Sequence, residues 1–156
     1  MRKHKPKVRL IEPDPRYSDT VVTRFVNMMM YSGKKSTAFR VFYQAMDLID
    51  AKEEEPGYEV FQKALRNVMP NLEVRSRRIG GATFQIPTEI RPERRMSIAM
   101  KWLIKYTRAR SGKGMATKLA AEVMAAAKGE GSAVKKKDDT HRMAESNRAF
   151  AHFAGR

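Results

Sequence analysis

Apolar residues recur at helical spacing along most of this 156-residue chain. Val22, Phe25, Val26 and Met29 fall at i, i+3, i+4 and i+7, one apolar face on a helix of roughly residues 19–31. Ser18 stands where its N-cap belongs, and Ser32-Gly33 stops it. A second helix is expected from about Ser36 to Glu54, with Phe39, Phe42, Tyr43, Met46 and Ile49 inward. Pro56-Gly57 breaks the chain, and Tyr58–Met69 predicts a third helix burying Val60, Ala64, Leu65 and Val68. The period then drops to two. Leu72–Arg78 and Thr83–Glu89 read as strands around Ile79-Gly80-Gly81-Ala82. A two-residue Gly80-Gly81 loop puts Arg77 opposite Phe84 and Arg75 opposite Ile86. No other segment looks like a strand, and a lone ribbon is marginal in water. The ribbon is therefore expected to project from a helical body and to be held by something else.

Helical spacing resumes at Pro92, which suits a first helical position. The fourth helix reaches about Arg110, with Ala99, Trp102, Leu103 and Tyr106 as its core stripe. Gly112 and Gly114 separate it from a fifth, 115–128, carrying Met115, Leu119, Val123 and Ala125–Ala127. Gly129–Ser132 reads as a flexible link, and Lys135-Lys136-Lys137 as the lead into a short sixth helix with Met143, Asn147 and Phe150 at helical spacing. The fold class is mainly α: about six helices, one extended β-hairpin arm at about 72–89, and a basic N-terminal extension. Residues 1–17, with Pro13-Asp14-Pro15, read as an extended arm, and 18–156 as a single helical domain.

Charge then changes the picture. Lys and Arg number 32 against 17 Asp and Glu, a formal net charge of +15, which calls for a polyanionic partner. The excess is not one patch. It lies on the arm, the Lys34-Lys35 turn, the hairpin, the fourth helix (with Arg94, Arg95, Lys101, Lys105, Arg108 and Arg110) and Lys135–Lys137. Five separated basic elements on one small core point to several backbone contacts on a folded RNA. Neutralising about eight to ten phosphates gives a log–log salt slope of roughly −6 to −9. Phe84 among hairpin arginines suits stacking on an unpaired base, and equally packing onto the helical body.

Other chemistry is weakly supported. The chain has no Cys, which excludes disulfides, thiolate nucleophiles and Cys-ligated zinc. Gly33-Lys34-Lys35-Ser36-Thr37 lacks the upstream Gly and strand of a phosphate-binding loop, although a helix start with two lysines suits a backbone phosphate. His4, His141 and His152 are too scattered for a metal site and read as surface or RNA-facing; Glu53-Glu54-Glu55 reads as a solvated run. The sequence predicts no catalytic residue, metal or cofactor. It has no apolar run of membrane-spanning length and no secretory h-region, and a transit peptide is disfavoured by Pro6, so the cytoplasm is the expected compartment. A DNA-binding architectural protein and an RNA-modifying enzyme are the competing classes; the second has no supporting motif.

Across nearly its whole length the chain resembles one family. Pro13-Asp14-Pro15 with Tyr17, Gly33-Lys34-Lys35-Ser36, Glu73-Val74-Arg75-Ser76-Arg77-Arg78-Ile79-Gly80-Gly81, Ile86-Pro87, Arg94-Arg95 with Trp102-Leu103, Ala133 to Lys137, His141-Arg142-Met143-Ala144-Glu145 and Ala149-Phe150-Ala151-His152 occur in order. The pattern is similar to bacterial small-subunit ribosomal protein seven. That resemblance implies a structural, non-enzymatic constituent of the small subunit, monomeric within the ribosome, that binds the 3′ major domain of 16S rRNA and nucleates head assembly. It implies neighbours: exit-site tRNA, the messenger path, and small-subunit ribosomal proteins nine and eleven. By position it assigns rRNA contacts to Arg2, Lys3, Lys5, Lys7, Arg9, Lys34, Lys35, Arg75, Arg77, Arg78, Arg94, Arg95, Arg108, Arg110, Lys135, Lys136 and Lys137. It places Arg78, Gly80, Gly81 and Phe84 nearest tRNA. The ending Phe153-Ala154-Gly155-Arg156 departs from the aromatic-Arg-Trp ending of many members.

Overall fold

The computed structural model describes residues 9–153, so Arg2, Lys3, Lys5 and Lys7 lie outside the described residues. Six α-helices, one hairpin and a terminal 3-10 turn follow in order: α1 Thr20–Met29, α2 Lys35–Asp50, α3 Gly57–Val68, β1 Leu72–Ile79, β2 Ala82–Glu89, α4 Pro92–Ala109, α5 Met115–Ala127, α6 Gly131–Ser146, and the 3-10 turn Arg148–Phe153.

The core forms where the apolar stripes meet. Phe25 of α1, Phe42 of α2 and Phe61 of α3 are fully buried, with ring centroids 5.0–5.8 Å apart and mostly edge-on. Against them packs α5, whose buried Leu119, Ala120, Val123 and Ala126 are small enough for α2, α3, α4 and α6 to approach it from several sides. Gly57 shows how tight the α2–α3 junction is. Its amide donates to Asp50 Oδ1 at 2.5 Å, and a Cβ there would lie 2.7 Å from the Met46 carbonyl oxygen.

Several boundaries differ from expectation. Asp19, not Ser18, caps α1, its carboxylate accepting from the Val21 amide at 2.8 Å while Ser18 sits at φ +53°. Residues 14–17, expected in an extended arm, fold onto the body. Asp14 is buried and accepts from the Arg16 and Tyr17 amides and the Tyr43 hydroxyl, and Tyr17 stacks on Tyr58 at 4.8 Å. Burial first, then the hydrogen bond to Asp14, pushes the Tyr43 hydroxyl pKa up, so that group stays a donor. On α4, Trp102 and Tyr106 are only partly buried; Met100, Ile104 and Thr107 join Ala99 and Leu103 in the core instead.

The largest correction concerns α6. Gly131 and Ser132 belong to it, and Lys135–Lys137 lie in its interior rather than in a linker. Its start is secured from a distance: buried Glu122 of α5 accepts from the Ala133 amide at 3.0 Å.

The hairpin register is the expected one, with Arg77 opposite Phe84 and Arg75 opposite Ile86. Gly80 and Gly81 both adopt positive φ, +56° and +89°, as a two-residue turn with right-handed strand twist requires. Ile86 and Ile90 anchor its base in the body. Its supports are α6 and the terminal 3-10 turn.

Candidate nucleic-acid interface

A basic rail runs along α4. Arg94, Lys101, Lys105 and Arg108 are spaced seven, four and three residues apart. At about 100° per residue they share an arc of about 60°, over about 21 Å of helix. Lys101, Lys105 and Arg108 line one shallow groove with Met28 and Ile104. The rail therefore connects the hairpin base, at Arg94, with the α1–α2 turn, at Arg108. Lys34 and Lys35 are exposed in that turn; Lys35 opens α2, and no side chain caps the helix start. Arg108 is fixed by two contacts. Its Nη2 donates to the Met29 carbonyl oxygen at 3.0 Å, and its guanidinium lies 4.2 Å over the Tyr31 ring centre. Beside this stack is a cavity of about 400 Å³.

At the hairpin base the arginines are partly engaged within the protein. Arg75 and Arg94 both donate to the Glu73 carboxylate, at 2.5 and 3.0 Å. Burial alone would raise the Glu73 pKa; the hydrogen bonds from Arg75 and Arg94 outweigh it and hold the carboxyl below its ordinary range. Two cations on one anion leave a net positive charge, and both arginine side chains are more than half exposed. Arg95 is spent differently. It reaches the Ile90 carbonyl, Asn71 Oδ1 and Glu89 at 2.8–3.1 Å, which makes it a bracket at the hairpin base. His141 joins that bracket: its Nε2 accepts from the Asn71 amide at 3.0 Å, so it faces the hairpin base rather than a partner.

Farther out, Arg78 and the Gly80-Gly81 tip are exposed. Arg77 donates to the Phe153 carbonyl oxygen at 3.1 Å. Phe84 is half-buried and packs against Phe150 and Phe153 of the 3-10 turn, with centroids at 5.3 and 5.7 Å. Arg110 pairs with buried Glu122 at 3.1 Å, and Lys137 donates to the Asn67 carbonyl at the end of α3. Lys135 and Arg9 are exposed, and Lys136 is half-buried. The structure thus puts Arg94 and Arg108 on one face of α4, joins Arg75 to Arg94 through Glu73, sets Lys34 in the same cavity wall as Arg108, and leaves Lys135 on another element.

Acidic side chains line two recesses, each shared with cations: Glu53, Glu54 and Glu55 with Lys52, Lys63 and Lys128, where Lys128–Glu53 and Lys63–Glu55 are ion pairs, and Glu130, Asp138 and Asp139 with Lys135 and Arg142. Among the described residues no group of His, Asp or Glu is arranged to hold a metal, and no helix is long and apolar enough to cross a membrane.

The family model for ribosomal protein S7p/S5e matches residues 1–148. The chain belongs to that family. It is 61% identical to the small ribosomal subunit protein uS7 of Cytophaga hutchinsonii over 98% of this chain and 99% of the relative. It is 62% identical to the uS7 of Christiangramia forsetii at the same coverage, and 58% to that of Salinibacter ruber over 97% and 98%. Within this S7p/S5e chain, sequence reasoning gave no fastening role to Asp14, Glu73, Glu122 or His141, the last of which it read as surface or RNA-facing. Asp14 between two prolines carries an Asx-turn signal, and Glu122 is a lone acid in an alanine-rich stripe. Glu73 lies two residues from Arg75, on the same side of its strand, but its second partner Arg94 and the Asn71 partner of His141 are too distant in sequence to leave such a signal.

Proposed function

We propose that this chain is a structural constituent of the small ribosomal subunit that binds its rRNA and serves translation in the cytoplasm. The observation that carries this reading is the α4 rail joining two further basic elements, in a chain of the S7p/S5e family. Bare phosphates on a folded RNA suit such a discontinuous set of cations. The finer reading places it on the 3′ major domain of 16S rRNA as a monomer that nucleates head assembly. Proteins nine and eleven are its neighbours, and the hairpin tip lies near exit-site tRNA and the messenger. Arg75, Arg78, Arg94, Arg108, Lys34, Lys35 and Lys135 are the phosphate contacts with the greatest exposure or reach. Arg77, Arg95, Arg110 and Lys137 act first as fasteners that hold the hairpin and α6, and Phe84 supports the hairpin from within. Its role is assembly and scaffolding rather than turnover. Sedimentation of the tagged protein from lysate tests the reading: it co-migrates with small subunits at a salt concentration where intact ribosomes persist. Its absence from them there overturns the assignment.

A further inference from the structure

The cavity beside the α1–α2 turn has walls that phosphate binding leaves unused. Met29, Met30, Ala38, Val41 and Met115 supply apolar surface, Lys34 and Arg108 supply positive charge, and no carboxylate lines it. Its volume of about 400 Å³ lies toward the lower end of small-ligand sites, about 300–1,000 Å³. Tyr31 stands on its wall and is 67% exposed. Single exposed aromatics are common, but this one is held in place. Arg108 lies over the ring and is itself tied to the Met29 carbonyl. The turn behind it is closed by the Lys34 amide donating to the Tyr31 carbonyl at 2.9 Å, with Ser32 at φ +50° and Gly33 at φ +71°. A serine in the left-handed region costs conformational energy, and such strain persists where surroundings over-determine it. The result gathers an aromatic platform, an apolar hollow and two cations, Lys34 of the turn and Arg108 of α4, around one turn.

We infer that this cavity takes one unpaired nucleobase of the bound RNA, stacked on Tyr31, with its adjoining phosphate on Lys34. The inference rests on the rRNA-binding reading above and specifies a contact within it. A nucleotide matches both chemistries of the hollow: a flat, weakly hydrated π face for the apolar walls and an anion beside it for Lys34 and Arg108. An apolar peptide would satisfy the methionines and leave both cations uncompensated. Arg108 covers one face of the Tyr31 ring, and the exposure of that side chain leaves room for a base on the other. Methionine walls adapt to different shapes, and Thr37 is the sole neutral side-chain hydroxyl on the hollow besides that of Tyr31. The pocket therefore selects an unpaired base over a paired one more strongly than it selects one base over another.

Binding of the full chain to a 3′ major-domain rRNA fragment, measured across a salt series, tests this. Tyr31→Ala weakens binding roughly 5- to 150-fold, the range for loss of one base–aromatic stack, with an unchanged salt slope because no charge is lost. Tyr31→Phe binds like the parent chain, and thermal melting checks that both variants fold. An abasic scan of the fragment's unpaired nucleotides then finds one position whose base matters to the parent and not to Tyr31→Ala. Parent-like affinity of Tyr31→Ala overturns the inference, as does a change in its salt slope or an abasic penalty that adds fully to it at every position. Failure of the parent chain itself to bind the fragment overturns the rRNA reading, and this inference with it.

Discussion

Glu73 controls how two of the hairpin-base arginines are presented. Its carboxylate is held ionised, burial being outweighed by the donors of Arg75 and Arg94, so its folded pKa lies below the unfolded value near 4.5. A depressed carboxylate pKa contributes stability that is present above the unfolded value and is lost as pH falls through the folded one. Glu73→Gln therefore lowers stability on the order of 1 kcal/mol at pH 6, a modest figure because both arginines are largely solvated. The gap between variant and parent closes as pH falls below about 4.5, and melting temperatures from pH 6 to pH 3 read it directly. A constant gap across that range would show that Glu73 acts through packing alone. At this scale the sequence was least informative. Arg75, Arg94 and Arg95 were legible as cations, but which of them face outward depends on Glu73, Asn71 and Glu89; strand spacing couples Glu73 to Arg75, whereas Arg94 meets Glu73 and Arg95 meets Asn71 across 21 and 24 residues.

Elements were far more legible, because periodicity reports them directly. The hairpin register follows from a two-residue period and a Gly-Gly pair, and the stripes of α1 and α3 follow from spacing of three and four. α6 was misread for a definite reason. It opens on Gly131-Ser132, which have little helical preference, and its Ala133 amide is satisfied by Glu122, a residue eleven positions upstream. The α2–α3 junction gives a prediction at the same scale. In Gly57→Ala the new methyl meets the Met46 carbonyl oxygen at a distance real side chains do not tolerate, and it crowds Asp50. The expected cost is about 1–3 kcal/mol in chemical denaturation, with an unchanged m-value. A parent-like midpoint would mean that the two helices separate freely there.

For the whole molecule, net charge predicted the class of partner and the fold arranged the charge. Lys101 and Lys105, which the family resemblance does not assign, lie on the same α4 face as Arg94 and Arg108. If the rail follows an RNA backbone, Lys101→Gln with Lys105→Gln shallows the log–log salt slope of rRNA binding by about 1.4 to 1.8, the loss of two phosphate contacts. An unchanged slope places the RNA elsewhere. The same double change leaves melting temperature within about 2 °C, since neither lysine is part of the core.

The support of the hairpin also sets an order of events during synthesis. Phe150 and Phe153, which pack on Phe84, leave the translating ribosome roughly sixty residues after the strand they brace. At about 5–20 residues per second that is an interval of several seconds. Throughout it, the nascent chain carries an unbraced ribbon, marginal on its own, beside a helical core that is still incomplete. The hairpin receives its last brace only after α4, α5 and α6 have followed it.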